Sequence, residues 1–226
     1  MIFDTTTLPH PLTLQADLCI VGSGAGGSMV AMIAAEAGMK VIVLEAGAFV
    51  TPAQMTQTED EMLPKLFWES GSRATQDRSV FIHQGRGIGG STLHNINLCK
   101  RIPLPILEQW QKERKLEQLS LQTWEQLYQE VENLLEVSLI PEHQRNLHNR
   151  LLERGCQVLG WKGGPLFHNR TGCLGSGFCE LGCSYDAKNN ALKRLVPRAV
   201  KAGAEFFTHC QASRITYEKG QITGLE

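Results

Sequence analysis

Residues 22–27 read Gly-Ser-Gly-Ala-Gly-Gly, and this glycine-rich turn decides the fold. It follows the apolar run 17–21 (DLCIV), which predicts a short buried strand, and it opens a helical pattern over residues 28–38. A second apolar run at residues 41–44 (VIVL) predicts another strand, with Glu45 directly after it. This order is the pattern of a dinucleotide-binding βαβ unit: a strand, a glycine turn, a helix and a second strand followed by an acid. Here the unit covers residues 14–47.

Each of the three glycines at the spacing of this pattern has a physical role. Gly22 permits the tight turn out of the strand, Gly24 leaves room for a pyrophosphate, and Gly27 lets the helix pack against the sheet. The helix N-terminus adds unpaired N–H donors and partial positive charge. Glu45 is expected to accept hydrogen bonds from both ribose hydroxyls and to disfavour a 2′-phosphate. The alternative is an ordinary glycine turn in an unrelated α/β protein.

Composition narrows the possible partners. The 226 residues include 22 Lys and Arg against 23 Asp and Glu, so nothing indicates nucleic acid or an anionic membrane as a partner. No transmembrane segment and no signal peptide is apparent, and we expect a cytoplasmic location. The seven cysteines are expected to be reduced thiols rather than a disulfide framework.

The middle of the chain alternates irregular and helical stretches. Residues 1–13 are predicted to be a polar lead-in, and residues 48–84 an irregular excursion over the cofactor. Apolar spacings of three and four over residues 104–160 predict a helical segment. Residues 163–190 are rich in glycine, cysteine and asparagine, which indicates a loop.

The last part of the chain returns to regular structure. Residues 192–202 predict a helix that ends at Gly203, and residues 206–208 predict a strand. Residues 213–217 and 221–225 flank a glycine-containing turn, which indicates a β-hairpin.

A second glycine-rich segment lies at residues 85–101 and reads GRGIGGSTLHNINLCKR. Taken with the first turn, it resembles the glucose–methanol–choline (GMC) oxidoreductases, FAD enzymes that oxidise alcohols. The positions that match the family signature are Gly89, Gly90, Ser91, Thr92, Asn95 and Arg101. The family usually has a small residue after the asparagine, where this chain has Ile96.

The resemblance implies an α/β, Rossmann-like FAD-binding fold of the GMC or glutathione-reductase-like type, incomplete and with a helical insertion. It implies that residues 85–101 run beside the pyrophosphate and isoalloxazine. Adjacent glycines let backbone lie against a flat ring, and the Ser and Asn side chains can bond phosphate or flavin oxygens. The strand expected at residues 211–215 resembles one whose backbone pairs with adenine. The expected cofactor-binding residues are Gly22, Gly24, Gly27, Glu45, Ala46, Gly89, Gly90, Ser91, His94, Asn95 and Ala212.

His94 directly precedes Asn95. Some GMC enzymes carry a histidine at this place that is bonded covalently to the flavin 8α-carbon. The resemblance therefore raises the hypothesis of a covalent flavin at His94. The alternative is a neutral histidine hydrogen-bonded near the flavin edge.

A cysteine segment contains Cys173, Cys179 and Cys183. The spacing is not usual for tetrahedral zinc, and iron–sulfur ligation suits three thiolates better. A similar cysteine loop holds an iron–sulfur cluster in some sugar dehydrogenases of the family. The alternative, which the sequence favours, is a loop with buried thiols behind the flavin.

The resemblance covers residues 1–226 as a partial FAD-binding domain, without a substrate domain or C-terminal catalytic segment. It implies oxidation of a small-molecule alcohol (a sugar, a sterol or a long-chain alcohol) by hydride transfer to flavin N5, with an unassigned electron acceptor. We expect a fragment that is inactive alone, or one part of a split enzyme whose C-terminal half is a separate chain. The alternatives are a non-catalytic FAD-binding product and an NAD-linked reductase. No catalytic base is assigned, and four further histidines are expected to be surface or structural residues: His83, His143, His148 and His168.

Overall fold

The computed structural model describes residues 1–9, 11–116 and 118–226. They divide into two compact units, Met1–Ile96 with Ser176–Glu226, and Asn97–Gly175. The strands are β1 (Ile2–Asp4), β2 (Leu18–Val21), β3 (Val41–Leu44), β4 (Leu98–Cys99), β5 (Ser138–Leu139), β6 (Phe167–His168), β7 (Glu205–Thr208), β8 (Ile215–Glu218) and β9 (Gln221–Leu225). The helices are α1 (Ala25–Glu36), α2 (Glu59–Leu66), α3 (Leu104–Glu113), α4 (Leu121–Leu134), α5 (Leu147–Val158), α6 (Ala191–Arg194) and α7 (Val196–Lys201).

The first unit is built on a parallel four-stranded sheet in the order β1-β7-β3-β2. The βαβ unit predicted at residues 14–47 is formed by β2, α1 and β3, with Val21 opposite Leu44. β3 is central, and its Val41 and Val43 are fully buried. β2 was expected to be buried and is not, because it is an edge strand: Val21 is 60% exposed. Parallel strands with a crossover helix make this an α/β fold, as predicted.

The polar lead-in predicted for residues 1–13 is wrong at its start. Ile2–Asp4 forms β1, which pairs in parallel with β7 at the other end of the chain. The Phe206 amide donates to the Met1 carbonyl at 2.8 Å. Three residues carry too little periodicity to predict a strand, so this pairing is a tertiary effect.

The prediction of an irregular stretch at residues 48–84 also fails, because α2 lies within it. Met62 and Leu66, four residues apart, are fully buried in an apolar cluster with Val50, Met55 and Leu93. This helical packing outweighs the hydrogen bond lost at the proline within the helix.

The predicted helix over residues 192–202 is divided into α6 and α7. The division falls at Leu195 because Pro197 has no N–H to continue the α6 hydrogen-bond pattern. The predicted hairpin is formed by β8 and β9. Ala212 lies before β8 and outside any strand, so the strand expected at residues 211–215 begins only at its last residue.

The second unit contains α3, α4 and α5 and a small antiparallel sheet in the order β4-β6-β5. Arg101 anchors α4 by donating to Glu132 at 2.7 and 2.8 Å and to Glu125 at 2.7 Å, over the Tyr128 ring. The arginine of the family signature thus has a structural role within this unit.

Candidate functional site

The two glycine motifs are in backbone contact. A Cβ built on Gly90 would lie 2.7 Å from the Cα of Gly24, and Gly90 has a φ of +54°. The Gly89 amide donates to the Ser23 carbonyl at 3.1 Å. The structure therefore brings together two segments that are far apart in the sequence, as the dinucleotide-site prediction requires.

The glycines of the first turn differ in whether the fold of the chain requires glycine at their positions. Gly22 has a φ of +87°, a conformation that side chains oppose. A Cβ on Gly27 would overlap the Gly22 carbonyl oxygen, so close helix–strand packing requires a glycine there. Gly24 has an extended conformation (φ −65°, ψ −168°), and a Cβ on it would meet nothing nearer than 4.0 Å. The fold leaves open space at Gly24, at the uncapped N-terminus of α1.

Glu45 is buried beneath these motifs. Its Oε2 accepts from the Ser23 amide at 3.0 Å and the Ser23 hydroxyl at 2.6 Å. Its Oε1 accepts from the Gly47 amide at 2.9 Å and the Gly87 amide at 3.1 Å. The carboxylate thus contacts both glycine motifs, and its expected bonds to ribose hydroxyls stay a prediction.

His94 is 7% exposed and stacks on Phe67 with ring centroids 3.9 Å apart. Its Nε2 is buried and has no hydrogen-bond partner among the described residues. Burial, and then the charge of Lys188, lowers the pKa of His94 to about 4. The imidazole is therefore neutral near pH 7, with a nitrogen that remains to be satisfied.

Lys188 is a buried lysine beside His94 that the motifs did not predict. It is 2% exposed, and its ammonium donates to the carbonyls of Leu93 (2.9 Å), Asn95 (2.6 Å) and Cys179 (2.8 Å). Burial lowers the pKa of Lys188 to about 8, against the opposing effect of nearby Cys179 and Cys183. The only sequence signal was a lone lysine following the cysteine segment.

Ser91 and Ala46 make hydrogen bonds to residues of the second glycine segment. The Ser91 hydroxyl accepts from the Gly85 amide at 2.8 Å, and Asn95 is exposed. The Ala46 carbonyl accepts a 3.4 Å bond from Arg86, whose guanidinium lies 4.9 Å from the Trp68 ring centroid. The Arg86 Nε is buried and lacks a partner among the described residues. Arg86 therefore joins the candidate site, although the motifs did not single it out.

The predicted metal ligands are partly buried thiols. The Cys173 sulfur accepts from the Gly175 amide at 3.4 Å, and the Cys183 sulfur accepts from the Ala187 amide at 3.2 Å. Over residues 1–9, 11–116 and 118–226, no group of three or more His, Cys, Asp or Glu residues has an arrangement that could hold a metal ion. Metal binding by Cys173, Cys179 and Cys183 stays a prediction.

The four histidines that were predicted to be surface or structural residues differ in burial. His143 and His148 are exposed, as is His83, which touches the edge of the Phe67 ring. His168 is buried in β6, where burial, and then the charge of Arg170, lowers its pKa. In the part of the chain that the structure describes, no helix is long and apolar enough to cross a membrane.

Comparison with known proteins identifies the protein family to which the chain belongs. The family model described as GMC oxidoreductase matches residues 63–226, and the chain belongs to this family, whose members bind FAD. An uncharacterised GMC-type oxidoreductase of Mycobacterium tuberculosis is 31% identical over 217 residues, covering 95% of this chain and 34% of that protein. A long-chain-alcohol oxidase of Arabidopsis thaliana is 28% identical over 208 residues, covering 92% of this chain and 28% of that protein.

A solved structure agrees on the fold. Pyridoxine 4-oxidase from Mesorbium loti superposes with a TM-score of 0.64 at 18% identity, covering 93% of this chain and 45% of that one. The predicted Rossmann-like fold class is thereby confirmed. The chain spans about a third of the length of the two curated relatives above.

Proposed function

We propose that this chain supplies the FAD-binding part of an oxidoreductase that oxidises the CH–OH group of a small-molecule alcohol. The observation that carries the proposal is the contact between Gly24 and Gly90 beside an open space. The fold itself has room for a side chain at position 24. A ligand packed against the Cα of residue 24 requires glycine there. The long-chain-alcohol oxidase among the relatives supports an alcohol as the substrate class.

Several groups of this chain fit FAD. The N-terminus of α1 offers amide donors to a pyrophosphate at Gly24. The partnerless Nε2 of His94 and Nε of Arg86 are buried polar atoms that a bound group can satisfy. The residues proposed to line the cofactor remain Gly22, Gly24, Gly27, Glu45, Ala46, Gly89, Gly90, Ser91, His94, Asn95 and Ala212, and Arg86 is added to them.

When bound, FAD supplies the hydride acceptor for alcohol oxidation. The chain's own residues then bind and orient it. The glycines allow close backbone approach, and α1 offers positive potential to the phosphates. His94 presents a neutral imidazole held against Phe67. We assign no catalytic base within this chain.

The test exploits the open position at Gly24. Gly24→Ser places a Cβ in the open space and a favoured residue at the N-cap of α1, so ligand-free thermal stability holds or rises. FAD titration followed by flavin fluorescence should show binding weakened about tenfold or more, equivalent to about 1.4 kcal/mol.

Gly164→Ser is the matched control, because Gly164 is equally open and lies outside both motifs. It should leave FAD binding unchanged. Equal FAD affinity for Gly24→Ser and wild type would contradict a pyrophosphate at this turn. Preference for NAD over FAD would support the NAD-linked alternative.

We propose His94 as the site of covalent flavin attachment, with a non-covalent contact as the alternative. Its neutral, buried and partnerless Nε2 supports a bond to the flavin edge. After acid precipitation of the flavin-loaded protein, covalent attachment leaves yellow colour in the pellet, and His94→Ala releases it. Colour wholly in the supernatant of the wild type rules the bond out.

We retain iron–sulfur binding at the three cysteines as a second proposal. Its support is the ligand type alone, since cysteine thiolates hold iron–sulfur clusters. Iron analysis of anaerobically purified protein tests it. Iron well below stoichiometric would leave the thiols as loop residues.

A further inference from the structure

The second glycine segment is bonded to residues 188–192 on both sides of His94. The Lys188 ammonium donates to the carbonyls of the two residues that flank His94 in the chain, and to the carbonyl of Cys179. Lys188 is 2% exposed, so these three carbonyls replace water around its charge. One buried cation therefore ties the backbone before and after His94 to a single point.

A second contact joins the same two stretches of chain. The Ala191 amide donates to the Thr92 hydroxyl at 3.1 Å, and this hydroxyl donates to the Gly89 carbonyl at 2.6 Å. A Cβ built on Gly89 would lie 3.3 Å from the backbone nitrogen of Leu192, so the two stretches are closely packed. Residues 188–192 therefore hold the second glycine segment at two places.

The side chain that these contacts locate is the imidazole of His94. The ring is 7% exposed and stacks on Phe67 with centroids 3.9 Å apart. A ring keeps such a stack only while its own backbone stays in place, since groups of a binding site must be held within about 0.5 Å by the residues around them. The backbone of His94 is fixed on both sides by Lys188.

We propose that Lys188 is a positioning residue, which holds the His94 imidazole on Phe67 in the orientation in which it meets the flavin. Thr92 contributes to the same hold through Ala191. The clause on the flavin rests on the proposed FAD function, whereas the hold on the imidazole does not. Two consequences follow. Loss of Lys188 releases the imidazole in the ligand-free protein, and it weakens FAD binding more than a comparable loss of stability elsewhere.

The first test needs no cofactor. The ring current of Phe67 displaces the NMR signals of the His94 imidazole from those of an exposed histidine such as His148. In Lys188→Met, spectra recorded at neutral pH should show the His94 signals losing most of this displacement, while the rest of the spectrum remains that of a folded protein. His94 signals that keep their wild-type positions in folded Lys188→Met overturn the proposal.

A milder variant covers the case in which Lys188→Met does not fold. Thr92→Val removes the hydroxyl that accepts from Ala191 and leaves the charge of Lys188 in place. The His94 signals should move in the same direction as in Lys188→Met, by a smaller amount. Unmoved signals in Thr92→Val would attribute any Lys188→Met effect to the lost charge alone and would also overturn the proposal.

Phe206→Leu is the control for lost stability. Phe206 is fully buried in β7, and its truncation should lower the thermal midpoint by roughly 4–10 °C. The His94 signals should keep their wild-type positions in this variant. A displacement as large as that in Lys188→Met would mean that the His94 ring responds to any destabilisation, and the positioning role would be lost.

The second test concerns the cofactor. In FAD titrations followed by flavin fluorescence, Lys188→Met should bind about tenfold more weakly than wild type, and Phe206→Leu should agree with wild type within about twofold. Equal affinities of the two variants would contradict the clause on the flavin. If the wild type does not bind FAD, the proposed FAD function fails, while the His94 signals still decide whether Lys188 positions the imidazole.

Discussion

The Lys188 ammonium donates a 2.6 Å hydrogen bond to the carbonyl of Asn95, and it also donates to the carbonyls of Leu93 at 2.9 Å and Cys179 at 2.8 Å. One buried cation therefore holds the backbone on both sides of His94 to the cysteine segment. Three carbonyl acceptors offset part of the cost of burying the charge.

Replacing this cation should be costly. Lys188→Met leaves one buried carbonyl (Leu93) and two partly buried carbonyls (Asn95 and Cys179) without their donor, so the free energy of unfolding should fall by about 2–4 kcal/mol. Urea unfolding of the ligand-free chain measures it. Lys201→Met, at an exposed lysine in α7, is the matched control and should stay within about 0.5 kcal/mol of wild type. Equal losses in the two variants would show that the Lys188 contacts contribute nothing specific.

Two adjacent glycines in α1 should respond with opposite signs to the same substitution. Gly27→Ala forces a Cβ onto the Gly22 carbonyl oxygen and should cost about 2–4 kcal/mol. In Gly26→Ala the new Cβ meets nothing within 4 Å, so the free energy of unfolding should rise by up to about 1 kcal/mol because alanine has the higher helix propensity. Thermal unfolding of both variants measures the difference, and a neutral Gly27→Ala would show that α1 does not pack so closely on the first turn.

The stability of the protein should fall in mild acid because of His94. Its folded-state pKa of about 4 lies below the ordinary histidine pKa of 6.5. Between these pH values the unfolded chain binds the proton more tightly, so this stability is present above pH 6.5 and is lost as pH falls toward 4. From pH 7 to 5 we expect a loss of about 1 kcal/mol after solvent screening.

His94→Asn isolates this effect, because the carboxylates that also respond to acid are unchanged. Urea unfolding at pH 7 and pH 5 should show a smaller loss for His94→Asn than for wild type. The neighbouring groups that affect the His94 imidazole are Lys188 and His83, and both favour its neutral form. Identical losses in the two proteins would mean that the His94 imidazole titrates normally.

Local sequence determined the parts of the site that depend on backbone conformation and short-range periodicity. The glycine turn at residues 22–27 and the apolar runs around it predicted β2, α1 and β3, because strand and helix periods are local properties. The glycine spacing also predicted the turn itself, since Gly22 adopts a positive φ that disfavours side chains. Residues 85–101 indicated the family without any structure.

Tertiary structure decided which polar groups meet. The sequence placed Glu45 at the end of a strand, and only the fold surrounds its carboxylate with donors from Ser23, Gly47 and Gly87. Lys188 carried no motif, because its three acceptors are backbone carbonyls that any residue provides. β1 was missed because its pairing with β7 joins residues about 200 positions apart, and no local pattern encodes a contact at that separation.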